Sequence, residues 1–266
     1  PQAPTVEKPC LSFTGVNDEG DVVIRNNVFA NCANFGLQAG LRGGSVKVVN
    51  NVFVANRMAA VEVFGTCAGK QTAKGAETPR CIDVEVANNT ILFSWTRLKD
   101  FMDMGYGVRV MTKAMYDIHH NVIALAALGA VDHTRANPND WTKLRENRFF
   151  GSKQADLFYS PASNQQLRLR VSEFGDLPFA AKDGNASGPL KLPVDPGYTE
   201  GFLAARYTDD ADYDPKSEAN RMRELFGLNK QGKLKTTITM FGNRYPWKAA
   251  LKLFGALPDA GAARPQ

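Results

Sequence analysis

The chain has 266 residues, 44% hydrophobic and 22% charged, with a net charge of +5. This composition excludes disordered chains and collagen-like fibres, and a chain of this length can bury a full core. No apolar run approaches the roughly 20 residues that cross a bilayer. The positive excess is diffuse, without the block of about five or six like charges that marks a nucleic-acid tail, so no nucleic-acid partner is expected.

The chain opens on "PQAPTVEKP", polar and proline-rich, which reads as the start of a mature exported protein, secreted or periplasmic. Cys10, Cys32, Cys67 and Cys81 all fall in the first third and show no CxxC spacing of a zinc or redox site. Two disulfides are expected, Cys10–Cys32 and Cys67–Cys81. The second would staple the loop "AGKQTAKGAETPR". Four buried thiols are the alternative.

Internal repetition sets the fold. "VVIRNNVF", "VKVVNNVF", "VEVANNTI", "YDIHHNVI" and "TKLRENRF" align on Asn27, Asn51, Asn89, Asn121 and Asn147. Each alternates as a strand does, with Ile24, Val48, Val86, Ile118 and Leu144 on one face. A second short strand follows each: "FGLQAG", "AAVEVF", "YGVRVM", "GAVDHT" and "QADLFY". Such a unit cannot bury its own core. Stacking coil upon coil can, and it places equivalent residues about 4.8 Å apart, so the recurring Asn can bond its amide to the next one along the stack.

"NNVF" after an alternating strand resembles the right-handed parallel β-helix proteins of the pectate-lyase-like superfamily. The resemblance covers residues 11–160. It implies an all-β fold, a right-handed parallel β-helix of about five coils over residues 1–160, and an extracellular polysaccharide containing uronic acids as ligand or substrate. The leucine spacing of a leucine-rich repeat is absent. Residues 161–266 are expected to form an irregular extension of loops and short helices packed on the coils. Asp214-Pro215 opens one helix that Gly227 closes, and Pro246 opens another that Gly255 closes. Trp247, Leu251 and Phe254 would then cover the open end of the stack, whose edges invite association.

The second strand carries an outward row of Gln38, Glu62, Arg109, Asp132 and Leu157. Glu62, Arg109 and Asp132 are the catalytic candidates: a carboxylate base beside an arginine that neutralises a uronate carboxyl. The competing reading is an ion ladder with no ligand. Three loops flank this strand and are expected to wall a solvent-filled groove, with Arg97, Lys99 and Gln38 binding substrate. The first strand carries Lys47, Glu85, Asp117 and Lys143, beside Arg25, Val49, Ala87, His119 and Arg145. Asp117 and His119 form a secondary candidate for proton transfer. No third ligand at metal spacing accompanies them, so no metal is expected. His120 replaces a corner Asn, and His133 continues an inward row with Val63 and Val110. "DDADYDP" lacks the glycine and distal glutamate of a calcium loop. Sequons begin at Asn88, placed in the stacked corner, and at Asn185. No phosphate-loop or nucleotide motif occurs, so no cofactor is expected.

The function expected is binding or modification of an acidic polysaccharide, by a lyase, epimerase or hydrolase if catalytic. The alternative is a non-catalytic β-helix, a structural or interaction module or a subunit of an envelope complex, with a protein partner in the cell envelope.

Overall fold

The computed structural model describes residues 9–190 apart from 17–19, 31, 33, 42, 66–70, 73–74, 77–81, 95–104, 112–113, 136–141, 153, 162–165, 178, 180–183 and 189, together with 250–256 and 260–265. The aligned repeat segments form two strands each. The residue before the repeated Asn is Asn26, Asn50, Asn88, His120 or Glu146, with φ of 61, 57, 52, 53 and 55°. This left-handed backbone is the one Asn tolerates best among residues with a side chain, and it turns the chain sharply. The alternating half of each segment therefore lies in one sheet and the three residues after the corner in another. Each coil has three strands rather than two.

In chain order these are β1 (Leu11–Val16), β2 (Asp21–Arg25), β3 (Val28–Ala30), β4 (Leu37–Leu41), β5 (Ser45–Val49), β6 (Val52–Val54) and β7 (Ala59–Gly65). A small ribbon, β8 (Gln71–Thr72) and β9 (Gly75–Ala76), precedes β10 (Ile82–Ala87), β11 (Thr90–Leu92) and β12 (Tyr106–Val110). There follow β13 (Ala114–His119), β14 (Val122–Ala124), β15 (Gly129–His133), β16 (Thr142–Arg145), β17 (Arg148–Phe150), β18 (Ala155–Tyr159), β19 (Leu167–Leu169) and β20 (Ala186–Ser187). They stack into three long sheets: β1-β4-β7-β12-β15-β18-β19, β16-β13-β10-β5-β2 and β20-β17-β14-β11-β6-β3. Every pairing in these sheets is parallel except β18 with β19. The fold is all-β, as expected.

The core lies between the sheets, in rows. Ile24, Val48, Val86, Ile118 and Leu144 are buried in register, as the alternation predicts. Phe29 stacks on Phe53 at 4.7 Å between ring centroids. At the corner, each Asn donates to the next: Asn51 Nδ2 to Asn89 Oδ1 at 3.1 Å, Asn89 to Asn121 at 3.0 Å and Asn121 to Asn147 at 3.0 Å. Each rung also takes the next backbone in hand, since Asn51 N, Asn89 N and Asn121 N donate to the same oxygens. The row runs one rung further than the aligned repeats. Asn147 donates to Asn185 Oδ1, and Asn185 Nδ2 donates to Leu144 O at 2.7 Å. That amide is occupied by the backbone, so the second sequon is a ladder rung and no better a glycan acceptor than the corner sequon.

The far end of the stack is closed by β19 and by a 3-10 helix at Val171–Asp176. Its Phe174 meets Phe149 edge-on at 6.1 Å. Asp156 accepts from Val171 N at 3.1 Å and from Arg170 Nη1 at 3.4 Å, while burial pushes its carboxyl above the usual range. Leu251 and Phe254 do not belong to this closure. Phe254 is buried and Leu251 is exposed, and both lie beside Asn26, at the corner of the first coil. From there the chain runs across the corners: Gly261 N donates to His120 O at 2.9 Å, Ala262 N to Thr90 Oγ1 at 2.9 Å and Ala263 N to Asn50 Oδ1 at 2.6 Å. A Cβ on Gly261 would sit 2.6 Å from Thr90 Oγ1, and φ there is +84°, so only glycine fits. Among the described residues of the C-terminal extension, 261–263 form a strap over the corners. Trp247 and the helix expected after Asp214 lie outside the described residues.

Cys10 and Cys32 are disulfide-bonded, with Cα atoms 5.4 Å apart. Closing this loop contributes about 3 kcal/mol by chain entropy. Cys67 and Cys81 lie outside the described residues. No helix among the described residues is long and apolar enough to cross a membrane.

Candidate functional site

The register places Gln38, Glu62, Arg109 and Asp132 in one row across four coils. Arg109 Nη1 donates to Glu62 Oε2 at 2.6 Å, and Nε donates to Asp132 Oδ2 at 3.1 Å. Gln38 Nε2 donates to Glu62 Oε1 at 2.8 Å. Thr134 closes the other side, its Oγ1 and N donating to Asp132 Oδ1 at 2.6 and 3.1 Å. The residues expected to assemble do assemble.

Their surroundings differ from expectation in two ways. Glu62, Arg109 and Asp132 are only 4%, 4% and 3% exposed, so they do not face solvent in an open groove. The row also continues to Phe158 and not to Leu157, which pairs with Val131 and points into the core. Phe158 belongs to a satellite apolar cluster with Phe35, Met58, Ala59, Tyr106, Leu128 and Ala155, and meets the Tyr106 ring edge-on at 5.4 Å. The triad is thus an ion network inside an apolar setting. Arg97 and Lys99 lie outside the described residues. Tyr116, which the sequence did not single out, bridges the core beneath this strand. Its hydroxyl donates to Val63 O and accepts from Val63 N at 3.0 Å, and burial drives the phenol well above its ordinary pKa.

The opposite face is open. Val23, Lys47, Glu85, Asp117 and Lys143 align in one row, and Arg25, Val49, Ala87, His119 and Arg145 in the next, as the sequence indicates. Lys47, Glu85, Asp117 and Lys143, with Ser45, Asp83 and Met115, line a depression of about 540 Å³ across four coils. Lys47 Nζ lies 3.8 Å from Glu85. Arg145 grips Asp117 with two bonds, Nε at 3.2 Å and Nη2 at 3.1 Å, which raises the guanidinium pKa.

Asp117 therefore faces Arg145, and the expected Asp117–His119 proton-transfer pair does not form. His119 meets Glu85 instead, Nε2 to Oε1 at 3.4 Å, and its Nδ1 lies 2.9 Å from His120 Nδ1. Burial, with Arg145 nearby, lowers the His119 pKa below the ordinary histidine value. His120 Nε2 lies 3.2 Å from Glu146. His120 keeps the corner geometry of the Asn it replaces, since its φ is left-handed.

His133 is buried, as its inward row implies. Its Nε2 lies 2.9 Å from Thr142 Oγ1, and its ring stacks on Phe179 at 4.5 Å. Its Nδ1 is buried without a hydrogen bond, and desolvation lowers the ring's pKa to about 4. In the unfolded chain this imidazole takes its proton near pH 6.5, so the folded state loses stability as pH falls from there to about 4 and is unaffected above. The span corresponds to about 3 kcal/mol. Urea unfolding at stepped pH should show this acid loss in the parent and a flatter profile in His133→Phe; identical profiles would contradict it.

Comparison with family models, with curated proteins and with solved structures returns no match for this chain.

Proposed function

We propose that the chain is a right-handed parallel β-helix of the pectate-lyase-like kind that binds an acidic polysaccharide along the outer face of β5, β10, β13 and β16. The handedness follows from the rule that crossovers between parallel strands of one sheet turn right-handed in nearly every case. The disulfide suits an oxidising, extracytoplasmic compartment.

The observation that carries the reading is the row Lys47–Glu85–Asp117–Lys143 in an open depression crossing four coils. A polymer laid along the stack meets a charged rung about every 4.8 Å, carboxylates in the middle of the row and a lysine at each end. Glu85 and Asp117 have cationic neighbours in Lys47 and Arg145, and offer acceptor oxygens to sugar hydroxyls. Lys47 and Lys143, three rungs or about 14 Å apart, offer point charges to uronate carboxylates. Catalysis is not carried to Glu62, Arg109 and Asp132, whose burial denies them a substrate. The buried triad favours a chain that binds without turning over, as the non-catalytic alternative also has it.

Calorimetry with polygalacturonate and alginate, against neutral dextran, tests the assignment. The parent should bind the uronates. Lys47→Glu with Lys143→Glu should weaken binding by about tenfold or more, because each reversal replaces an attraction with a repulsion of about 1 kcal/mol. A parent that binds neither uronate overturns the reading.

A further inference from the structure

The binding-face sheet ends at β2, and among the described residues no strand pairs with its other side. Ser45 N donates to Gly20 O at 3.2 Å and Asn26 N donates to Asn50 O at 3.1 Å, so the even-numbered residues aim their backbone groups at β5. Successive residues of a strand alternate in this respect. Asp21, Val23 and Arg25 thus aim their N–H and C=O groups away from the stack. Arg25 O already accepts from Asn27 Nδ2 at 2.8 Å and keeps a second lone pair.

The side chains of these three residues are exposed, with Val23 at 54%. Edge strands are ordinarily blunted by shortness, by charged side chains (lysine above all), by proline, by a bulge or by a covering segment, and here the two charges, Asp21 and Arg25, are of opposite sign. The strand Asp21–Arg25 contains neither proline nor lysine, and its pairing with β5 is regular. It reads Asp-Val-Val-Ile-Arg, with opposite charges placed symmetrically about Val23. Laid antiparallel against a second copy of itself, Val23 meets Val23 and Asp21 meets Arg25, twice. Laid parallel, Asp21 meets Asp21 and Arg25 meets Arg25, which opposes pairing.

We infer that two copies of this chain join head to head through β2, about a twofold axis at Val23. The pairing is isologous, so it closes at two chains. At the axis the two Val23 residues exchange both backbone hydrogen bonds, as an antiparallel hydrogen-bonded pair does. The same end of the stack carries Leu11, Phe13 and Val22, partly buried against the core, and the joint covers them. Two five-stranded sheets become one of ten, with the two depressions in line on one face. The dimer stands on the edge geometry; its consequence for polymer binding rests on the function proposed above.

Light scattering on the 266-residue chain tests it. The parent should have the mass of two chains. Arg25→Asp, which sets Asp against Asp at both ends, should have the mass of one, and so should Val23→Lys. The double swap Asp21→Arg with Arg25→Asp restores complementary pairs and should restore two chains. A single-chain parent, a two-chain Arg25→Asp or a double swap that stays single overturns the proposal. Long alginate should bind the single-chain variant about 100-fold more weakly than the dimer, with short oligomers unchanged. If no form binds alginate while the masses follow this pattern, the dimer stands and the polysaccharide reading falls.

Discussion

Asn89→Ala should lower the unfolding free energy by about 3–4 kcal/mol. Asn89 Oδ1 accepts from both Asn51 N and Asn51 Nδ2, while Asn89 Nδ2 donates to Val48 O at 2.7 Å and to Asn121 Oδ1. Truncation deprives at least two buried groups of partners, and each such loss costs about 1–3 kcal/mol. The neighbour Asn88 supplies the control. It is half-buried with a φ of 52°, so Asn88→Gly keeps the corner and should change stability little. Urea midpoints decide the matter: an Asn89→Ala midpoint equal to the parent's would mean the corner amides do not hold the coils together.

The second large effect concerns Arg109. Arg109→Met leaves Glu62 and Asp132, on the strands either side of it, buried without their shared cation, and breaking a buried pair from one side costs about 3–5 kcal/mol. Replacing Glu62, Arg109 and Asp132 together with apolar residues of similar volume should recover most of that loss, since no charge is then left uncompensated. Uronate binding should be the same in the triple variant as in the parent. A triple variant that folds and loses the polymer would return the ligand site to this strand.

What was legible in the sequence was periodic. Alternation placed Ile24, Val48, Val86, Ile118 and Leu144 inside, and it put Lys47, Glu85, Asp117 and Lys143 in one row. The triad was legible too, because strands one coil apart share a register. The third strand of each coil was hidden because a left-handed Asn corner breaks no alternation pattern that can be seen in the letters. The burial of the triad is hidden for a different reason. Strand alternation separates the core face from the outer face, but it says nothing about whether the outer face is itself covered. The pairing of His119 with Glu85 was hidden likewise, since Arg145, one coil further on, takes both oxygens of Asp117.

The strap changes how the molecule should come apart. In a simple solenoid each coil touches only its neighbours, so terminal coils fray one at a time and stability is a sum of local terms. Here residues 261–263 bond to three successive corners, at His120, Thr90 and Asn50. None of these three coils can leave the stack without releasing a segment that also grips the other two. Unfolding of these three coils is thereby tied into a single event, and because the strap's contacts join residues far apart in the chain, its docking must come late in folding, after the coils that receive it exist.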